Sequence, residues 1–359
     1  MTKVLIAGYG DIGARLASIL DSNVHEAPVI APANESAKHG EGAVTRPTGR
    51  REYFRVGSTA AIPAADACRS SNRTLSGTGI VLNIEKLDKE SKSTNFHSKH
   101  YQVFGLKRNP PLSDEGGTRF IKADLTCSGD LEQLDCDFDQ VLYLPTPGGR
   151  DAEAYRAVFD TALNNLIQRF KADGRMPQWF FVSSTGVYGQ TGGEWVDETS
   201  NAQANTETGK IIRKAEQTLL EHDPSAVIVR FSGIYGPGRE RLLQMASRQA
   251  VIQADPPYYT NRIHQDDCAA VLAFLMKKHV EGECLENLYL ASDDNPAPMW
   301  EVISWLAQQM NSQPPIAKPA DNVPDQNKRC RNSRLKTLGF RFKYPTYREG
   351  YGEMLKVKG

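Results

Sequence analysis

The sequence predicts an α/β fold, a doubly wound parallel sheet with helices on both faces. Short apolar runs bounded by turn residues alternate with stretches of helical periodicity, the pattern of parallel strands joined by crossover helices. The first strand leads through a glycine-rich turn straight into a helix near the N-terminus. Hydrophobic residues make up 40% of the 359, enough for a sizeable core in one large domain or two smaller ones.

Taken in order, Lys3–Ala7 reads as the first strand and Ile12–Leu20 as the first helix. Further strands are expected at Gln102–Leu106, Phe120–Lys122, Gln140–Leu144, Trp179–Ser183 and Ala226–Arg230. Each is short and apolar, as a strand covered on both faces must be. Asp151–Phe170 and Thr208–Glu221 carry apolar residues at three- and four-residue spacing and read as helices. Ala297–Met310 reads as another, with Pro298 in its first turn, where a missing N–H is harmless.

Residues 23–100 break the pattern, being rich in Ser, Ala, Asn, Arg, Lys and Gly with weak periodicity. The link between the first helix and second strand of such a fold normally takes a handful of residues. The segment therefore reads as a long insertion, a disordered or loosely folded surface loop in which Ile80–Ile84 could add a short strand. No residues in it argue for a lid or a partner-binding module. The expected core is 1–22 with 101–235, and 236–359 form a small C-terminal, substrate-side region that also returns to the core.

Charge and cysteine usage exclude several classes. With 43 basic and 43 acidic side chains, nothing draws the whole chain toward nucleic acid or an anionic membrane. No apolar run approaches the roughly 20 residues of a membrane span. The N-terminus lacks the regions of a signal peptide. Six cysteines without CxxC spacing read as reduced thiols of a cytoplasmic protein, and neither they nor the seven histidines have metal-ligand spacing. The expected partner is a small-molecule substrate.

The glycines carry the most specific signal. Gly8-Tyr9-Gly10-Asp11-Ile12-Gly13 is a GxGxxG sequence between a strand and a helix, the context that dinucleotide binding in a Rossmann fold demands. Gly8 permits the tight turn, Gly10 lets backbone approach a pyrophosphate, and Gly13 lets the helix pack closely on the strand. The helix N-terminus offers unpaired N–H groups and a positive dipole end. The end of the second strand then selects the cofactor, because an acid there binds the ribose hydroxyl of NAD and a base accommodates the 2′-phosphate of NADP. Here it ends in Lys107 and Arg108 with no acid, so NADP is expected, with NAD the alternative. A rival second strand at Ala27–Ala31 would remove the basis for this preference, but Gln102–Arg108 leads directly into the third strand. Asp124 and Leu125 sit where an Asp can bond the adenine amino group, although Asp is also an ordinary turn residue. Pro145 and Ser183, at the ends of the next two strands, complete the candidate cofactor contacts.

Later motifs bring a resemblance. Phe181-Val182-Ser183-Ser184-Thr185-Gly186-Val187-Tyr188-Gly189, Val196-Asp197-Glu198, Arg230 to Arg239, Asn261 to Asp267 and Leu338-Gly339-Phe340 together resemble the extended short-chain dehydrogenase/reductase superfamily. Within it the chain is similar to atypical members of the NAD-dependent epimerase/dehydratase group. The resemblance implies that Ser184 orients the substrate oxygen and that a Tyr-x-x-x-Lys pair on the next helix moves the proton. Free Tyr titrates near pKa ~10 and needs a neighbouring cation. Counting back from Ala215-Glu216 puts Thr208 in the tyrosine position and Ile212 in the lysine position. Neither can do the work. Lys210 and Lys214 lie about 200° around the helix from Ile212 and should face solvent. A register at Thr206 and Lys210 recovers a lysine but no tyrosine.

The candidate catalytic residues are therefore Ser184, Tyr188 and His264. Tyr235, also a possible donor, joins Thr185, Arg239 and Arg262 as candidate substrate contacts. Asp266 and Asp267 resemble a structural Asp that ties the C-terminal part to the core. Many relatives pair through the two long helices, which implies a homodimer contact at 151–170 and 208–221. Two functional readings stand: an NADP-dependent oxidoreductase or epimerase-like enzyme with a non-standard proton donor, and a non-catalytic NAD(P)-binding sensor.

Overall fold

Seven strands pair in parallel to form the main sheet: β1 (Thr2–Ala7), β2 (Tyr101–Lys107), β3 (Arg119–Lys122), β4 (Gln140–Tyr143), β5 (Gln178–Ser184), β6 (Val227–Phe231) and β7 (Leu288–Ala291). Their order across the sheet is β7-β6-β5-β4-β1-β2-β3. This is a computed structural model and it describes residues 1–21, 101–114, 116–320 and 326–356. The chain divides into two units, Met1–His25 with His97–Gly359 and Glu26–Phe96. The second unit lies outside the described residues, as do the expected insertion, the short strand at Ile80–Ile84 and the rival strand at Ala27–Ala31.

β1 is the centre of the topology. It pairs with β2 on one side, Val4 opposite Val103, and with β4 on the other, Ile6 opposite Leu142. The strand order reverses at this point, and the carboxyl ends of β1 and β4 diverge to leave a crevice. Both faces of the sheet are covered. Leu5, Val141, Trp179, Phe181 and Ile228 point into one apolar cluster, and Val4, Ile6, Leu142, Phe180 and Val229 into the other. This alternation of fully buried residues on both faces is why the strands read as continuous apolar runs.

Helix α1 (Asp11–Asp21) follows β1 and buries Ile12, Gly13, Leu16, Ala17 and Leu20 at helical spacing. The long segment α2 runs as Ala152–Arg156, a wide π-helical turn at Ala157–Ala162 and then Leu163–Asp173. Gly174 ends it with a left-handed φ of 70°. Helix α3 (Glu207–His222) is capped by Thr206, whose hydroxyl accepts a hydrogen bond from the Gly209 N–H.

Several elements depart from the sequence reading, among them the helices Arg241–Ser247 and Tyr347–Lys356, which it did not name. Strand β7 was not expected, although its four residues form an apolar run as short as that of β4. Helix α4 (Gln265–Val280) was also not expected, because apolar residues lie nearly all round it and leave no clear stripe. Its buried residues include Cys268, Ala269, Val271, Leu272, Leu275 and Met276. Finally, Ala297–Pro298 is not helical but pairs antiparallel with Tyr259–Thr260, and the helix begins at Met299. The extended backbone of Pro298 (ψ 139°) places it at the cap and not in the first turn.

Three small parallel pairs lie beyond the main sheet, one of them Val251–Gln253 with Ile316–Lys318. Gly233–Tyr235 pairs with Arg262–His264, and Glu194–Val196 with Lys328–Cys330. No helix among the described residues is long and apolar enough to cross a membrane. No cluster of three metal-ligating side chains occurs among them either.

Candidate functional site

A cleft of about 550 Å³ opens at the crevice between β1 and β4. Its floor is the turn after β1, where the N–H groups of Gly8 and Tyr9 both donate to the Leu106 carbonyl. Gly8 has φ 91°, and a Cβ there would lie 2.3 Å from the Leu144 carbonyl oxygen. A Cβ on Gly13 would come within 3.3 Å of the Ile6 side chain, so helix and strand are already in contact. Gly10 differs: nothing lies within 4 Å of where its Cβ would be. That open space above the start of α1 is what a pyrophosphate needs to reach backbone N–H groups, so these residues fit a dinucleotide.

Of the twelve expected cofactor residues eight line this cleft, Asp11 and Gly13 stand at the start of α1 outside its lining, and two more are exceptions. Gly8, Tyr9, Gly10, Lys107, Arg108, Asp124, Leu125 and Pro145 all line the cleft. The Tyr9 ring packs edge-on against Phe120 and carries the Lys107 ammonium 5.9 Å above its centroid. Asp124 is a turn residue, with one carboxylate oxygen taking the N–H and hydroxyl of Thr126 and the other lying 4.0 Å from Arg108. The hydrogen bonds from Thr126 hold its carboxyl below the usual range. Ile12 is a first exception, since its side chain is buried under α1.

Ser183 is the second exception. Its hydroxyl donates to Glu216 Oε1 at 2.5 Å in the buried interior. Glu216 also accepts two hydrogen bonds from Arg230, at 2.8 and 2.7 Å, and one from Arg213 at 2.8 Å. This network ties α3 to β5 and β6. Ser183 is a structural residue of it, as is the Ala-Glu pair of the family pattern.

The back of the cleft is formed by α2. Ala154, Ala157, Val158 and Ala162 line it, and the π turn releases the Val158 carbonyl to accept the hydroxyl of buried Tyr143 at 2.5 Å. π turns of this kind recur at functional sites.

Beyond β5 lies the loop Ser184–Tyr188. Ser184 caps a short 3₁₀ turn, its Oγ accepting from the Gly186 N–H at 3.0 Å, which leaves the O–H as a donor. Thr185 is buried. Tyr188 is fully buried and donates to the Asp197 carbonyl at 2.7 Å. Burial pushes its pKa up to about 12, and its hydroxyl is already engaged in that bond. The start of α3 lies directly against the loop, since a Cβ on Gly209 would be 2.6 Å from the Gly186 carbonyl oxygen. Thr208 is half-buried there and Ile212 belongs to the core cluster. Lys210 and Lys214 face solvent, and Lys214 lies 3.7 Å from Asp160.

One cation does reach this loop, and the sequence did not reveal it. Lys328 is only 3% exposed, and its Nζ donates to the Tyr188 carbonyl at 3.0 Å and to Gln326 Oε1 at 2.8 Å. Gln326 in turn donates to the Gly186 carbonyl at 3.3 Å. Among the described residues no carboxylate pairs with Lys328, and burial pulls its pKa down to about 8. A lysine in the run Asn327-Lys328-Arg329 reads as a surface charge. Only the pairing of Lys328–Cys330 with Glu194–Val196 carries it inward.

The remaining candidates serve other ends. His264 caps α4, its Nδ1 accepting from the Asp266 N–H at 3.2 Å, and its ring packs against Tyr235 and Tyr344. Burial lowers its pKa to about 4, which leaves it neutral at pH 7. Tyr235 is buried against Gly350 and stacks on Tyr351 at 4.3 Å. Arg262 is 3% exposed, bonded to Thr260 and lying over the Tyr347 ring. These three pack the C-terminal part together, and none is placed on the cleft. Asp267 accepts from the N–H groups of Lys343 and Tyr344, at 2.7 and 3.0 Å, and so ties that part to the core. Arg239 stays on its C-terminal loop, but its side chain reaches the start of α1 and pairs with Asp11 at 2.8 Å.

Comparisons with known proteins agree with this geometry. No family model matches the sequence. A Methylobacillus flagellatus structure classed with the NAD-dependent epimerase/dehydratases superimposes with TM-score 0.65 and 28% identity over 99% of this chain and 98% of its own. The chain is thus similar to the NAD-dependent epimerase/dehydratases and shares their parallel-sheet Rossmann fold. An NAD complex of dTDP-glucose 4,6-dehydratase from Bacillus anthracis shares the fold at 13% identity, with TM-score 0.63 over 100% of this chain and 96% of that one. In sequence the chain is 24% identical to Escherichia coli protein YeeZ over 231 residues, 63% of this chain and 78% of YeeZ. It is also 26% identical over 165 residues to a Streptomyces 3-diazoavenalumate denitrifying reductase, covering 40% of this chain and 52% of that protein.

Proposed function

We propose that this chain is an NADP-dependent oxidoreductase acting on a small molecule, with Ser184 as the hydroxyl that orients the reacting oxygen. The observation that carries the cofactor preference is the pair Lys107 and Arg108 on the cleft wall, where β2 ends in two cations and no acid; Asp124, from the turn after β3, lies 4.0 Å from Arg108. A guanidinium offers paired donors to a phosphate, and the ammonium adds a point charge. The related reductase from Streptomyces supports hydride transfer as the reaction type. NADPH, when bound, supplies the hydride.

Helix α3 offers neither the tyrosine nor the lysine of the usual proton relay. In this reading Lys328 supplies the missing positive charge from behind, through Gln326 and the 186–188 backbone, and Ser184 faces the substrate. A second reading, a sensor that binds NADP without turnover, is favoured by the same two positions, because Thr208 and Ile212 remove both members of the relay.

Thermal-shift titration tests the cofactor step: NADPH should raise the melting temperature more than NADH at equal concentration. A larger shift with NADH overturns the cofactor preference. NADPH oxidation is then followed across a panel of aldehydes and ketones, comparing wild type with Ser184→Ala. Turnover that falls about 100-fold in the variant, with NADPH affinity unchanged, is the expected result. Binding without turnover on any substrate favours the sensor.

A further inference from the structure

Arg239 and Asp11 stand 228 residues apart in sequence, and the structure joins them with two hydrogen bonds, Nε to Oδ2 at 3.2 Å and Nη2 to Oδ1 at 2.8 Å. Asp11 is the first residue of α1, beside the open space over Gly10. A carboxylate in that place opposes an incoming pyrophosphate unless a cation neutralises it. The charged side chains that act on Asp11 are Arg239 and, more weakly, Arg15, and Arg15 is itself paired with Asp266 at 2.5 Å. Among the described residues Arg239 is thus the guanidinium on Asp11 that is not committed to a second acid. It is 39% exposed and carries five N–H donors, two of which bond Asp11, so three remain. It projects from the loop after Gly233–Tyr235, where Gly236 and Gly238 have φ 147° and 81° and Gly236 bridges to Arg239.

We propose that Arg239 is a residue of the dinucleotide site, a clamp delivered from the C-terminal region that binds the cofactor pyrophosphate at the start of α1. Asp11 holds the guanidinium over the glycine loop, and the remaining donors take a phosphate oxygen when the dinucleotide binds. This reassigns Arg239 from the substrate to the cofactor and rests on the NADP reading above. It also makes the loop at 236–240 sense whether the cofactor is present, because the same side chain spans both.

The test compares two ligands by titration at constant ionic strength: NADPH, which has a pyrophosphate, and adenosine 2′-monophosphate, which does not. Arg239→Ala should weaken NADPH on the order of tenfold or more and leave the monophosphate unchanged. Asp11→Asn, which removes the acid and keeps the guanidinium, should bind NADPH at least as tightly as wild type. The proposal is overturned if Arg239→Ala binds NADPH like wild type. It is equally overturned if Arg239→Ala and Asp11→Asn weaken both ligands alike, which is the signature of a structural staple. Wild type that binds neither NADPH nor NADH removes the cofactor reading itself, and the clamp with it.

Discussion

Replacing Lys328 by methionine isolates one buried charge and the pH range in which it matters. The ordinary lysine pKa is 10.5, and burial lowers that of Lys328 to about 8. A displacement of roughly 2.5 pH units corresponds to about 3 kcal/mol. The sign follows from the neutral amine being favoured in the folded state. Below pH 8 the folded chain must bury an ammonium ion, and the full cost is present. From about pH 8 to 10.5 the folded amine is neutral while the unfolded one is still protonated, and the cost fades. Methionine keeps the volume and removes the charge, but forfeits the bonds to Tyr188 and Gln326, each worth about 1 kcal/mol. The variant should therefore match or slightly exceed wild-type stability at neutral pH. Wild type should gain on it by about 2 kcal/mol between roughly pH 7 and 9.5. Urea denaturation of both proteins at both pH values measures this, because every other titrating group cancels in the difference. A difference that does not change with pH would refute the reasoning. So would a loss of several kcal/mol at neutral pH, since it would mean the ammonium is fully compensated where it lies.

Other perturbations follow from the same contacts. Glu216→Gln leaves Arg230 buried without its carboxylate and should cost about 3–5 kcal/mol in urea denaturation; a loss under 1 kcal/mol would show that the network is dispensable. Gly8→Ala combines a left-handed φ of 91° with a Cβ at 2.3 Å from a carbonyl oxygen, so the melting temperature should fall sharply and NADPH binding with it. Tyr188→Phe removes only the bond to the Asp197 carbonyl and should cost about 1 kcal/mol while turnover is unchanged; a large loss of turnover would return Tyr188 to the chemistry. His264 stays neutral down to about pH 4. An activity profile should therefore show no acid limb near pH 6.5 that His264→Asn abolishes.

Much of the fold is legible because its signals are local. Six of the seven sheet strands announce themselves as short apolar runs between turns. The seventh, Leu288–Ala291, was not expected, and α4 is buried on too many sides to show a stripe. The candidate site is legible in part for the same reason. Gly8, Gly10 and Gly13 do what their spacing implies, each through its own immediate neighbours. Lys107 and Arg108 follow from where β2 stops. Ser183, Tyr188 and His264 also sit at motif positions, yet each hydroxyl or ring is already engaged by a partner. A motif records which residue stands at a strand end, and it cannot record whether that residue's polar atoms are free.

What the sequence alone determined is the order of strands and helices and the phosphate-ready turn, because backbone conformation, helix capping and apolar periodicity are set by residues a few positions apart. Only the tertiary structure decided which polar groups remain available. The partner of Ser183 lies 33 residues away, that of Lys328 140, and that of Arg239 228. Charges at such separations meet only after the sheet has formed, so their pairing and desolvation are properties of the packed chain.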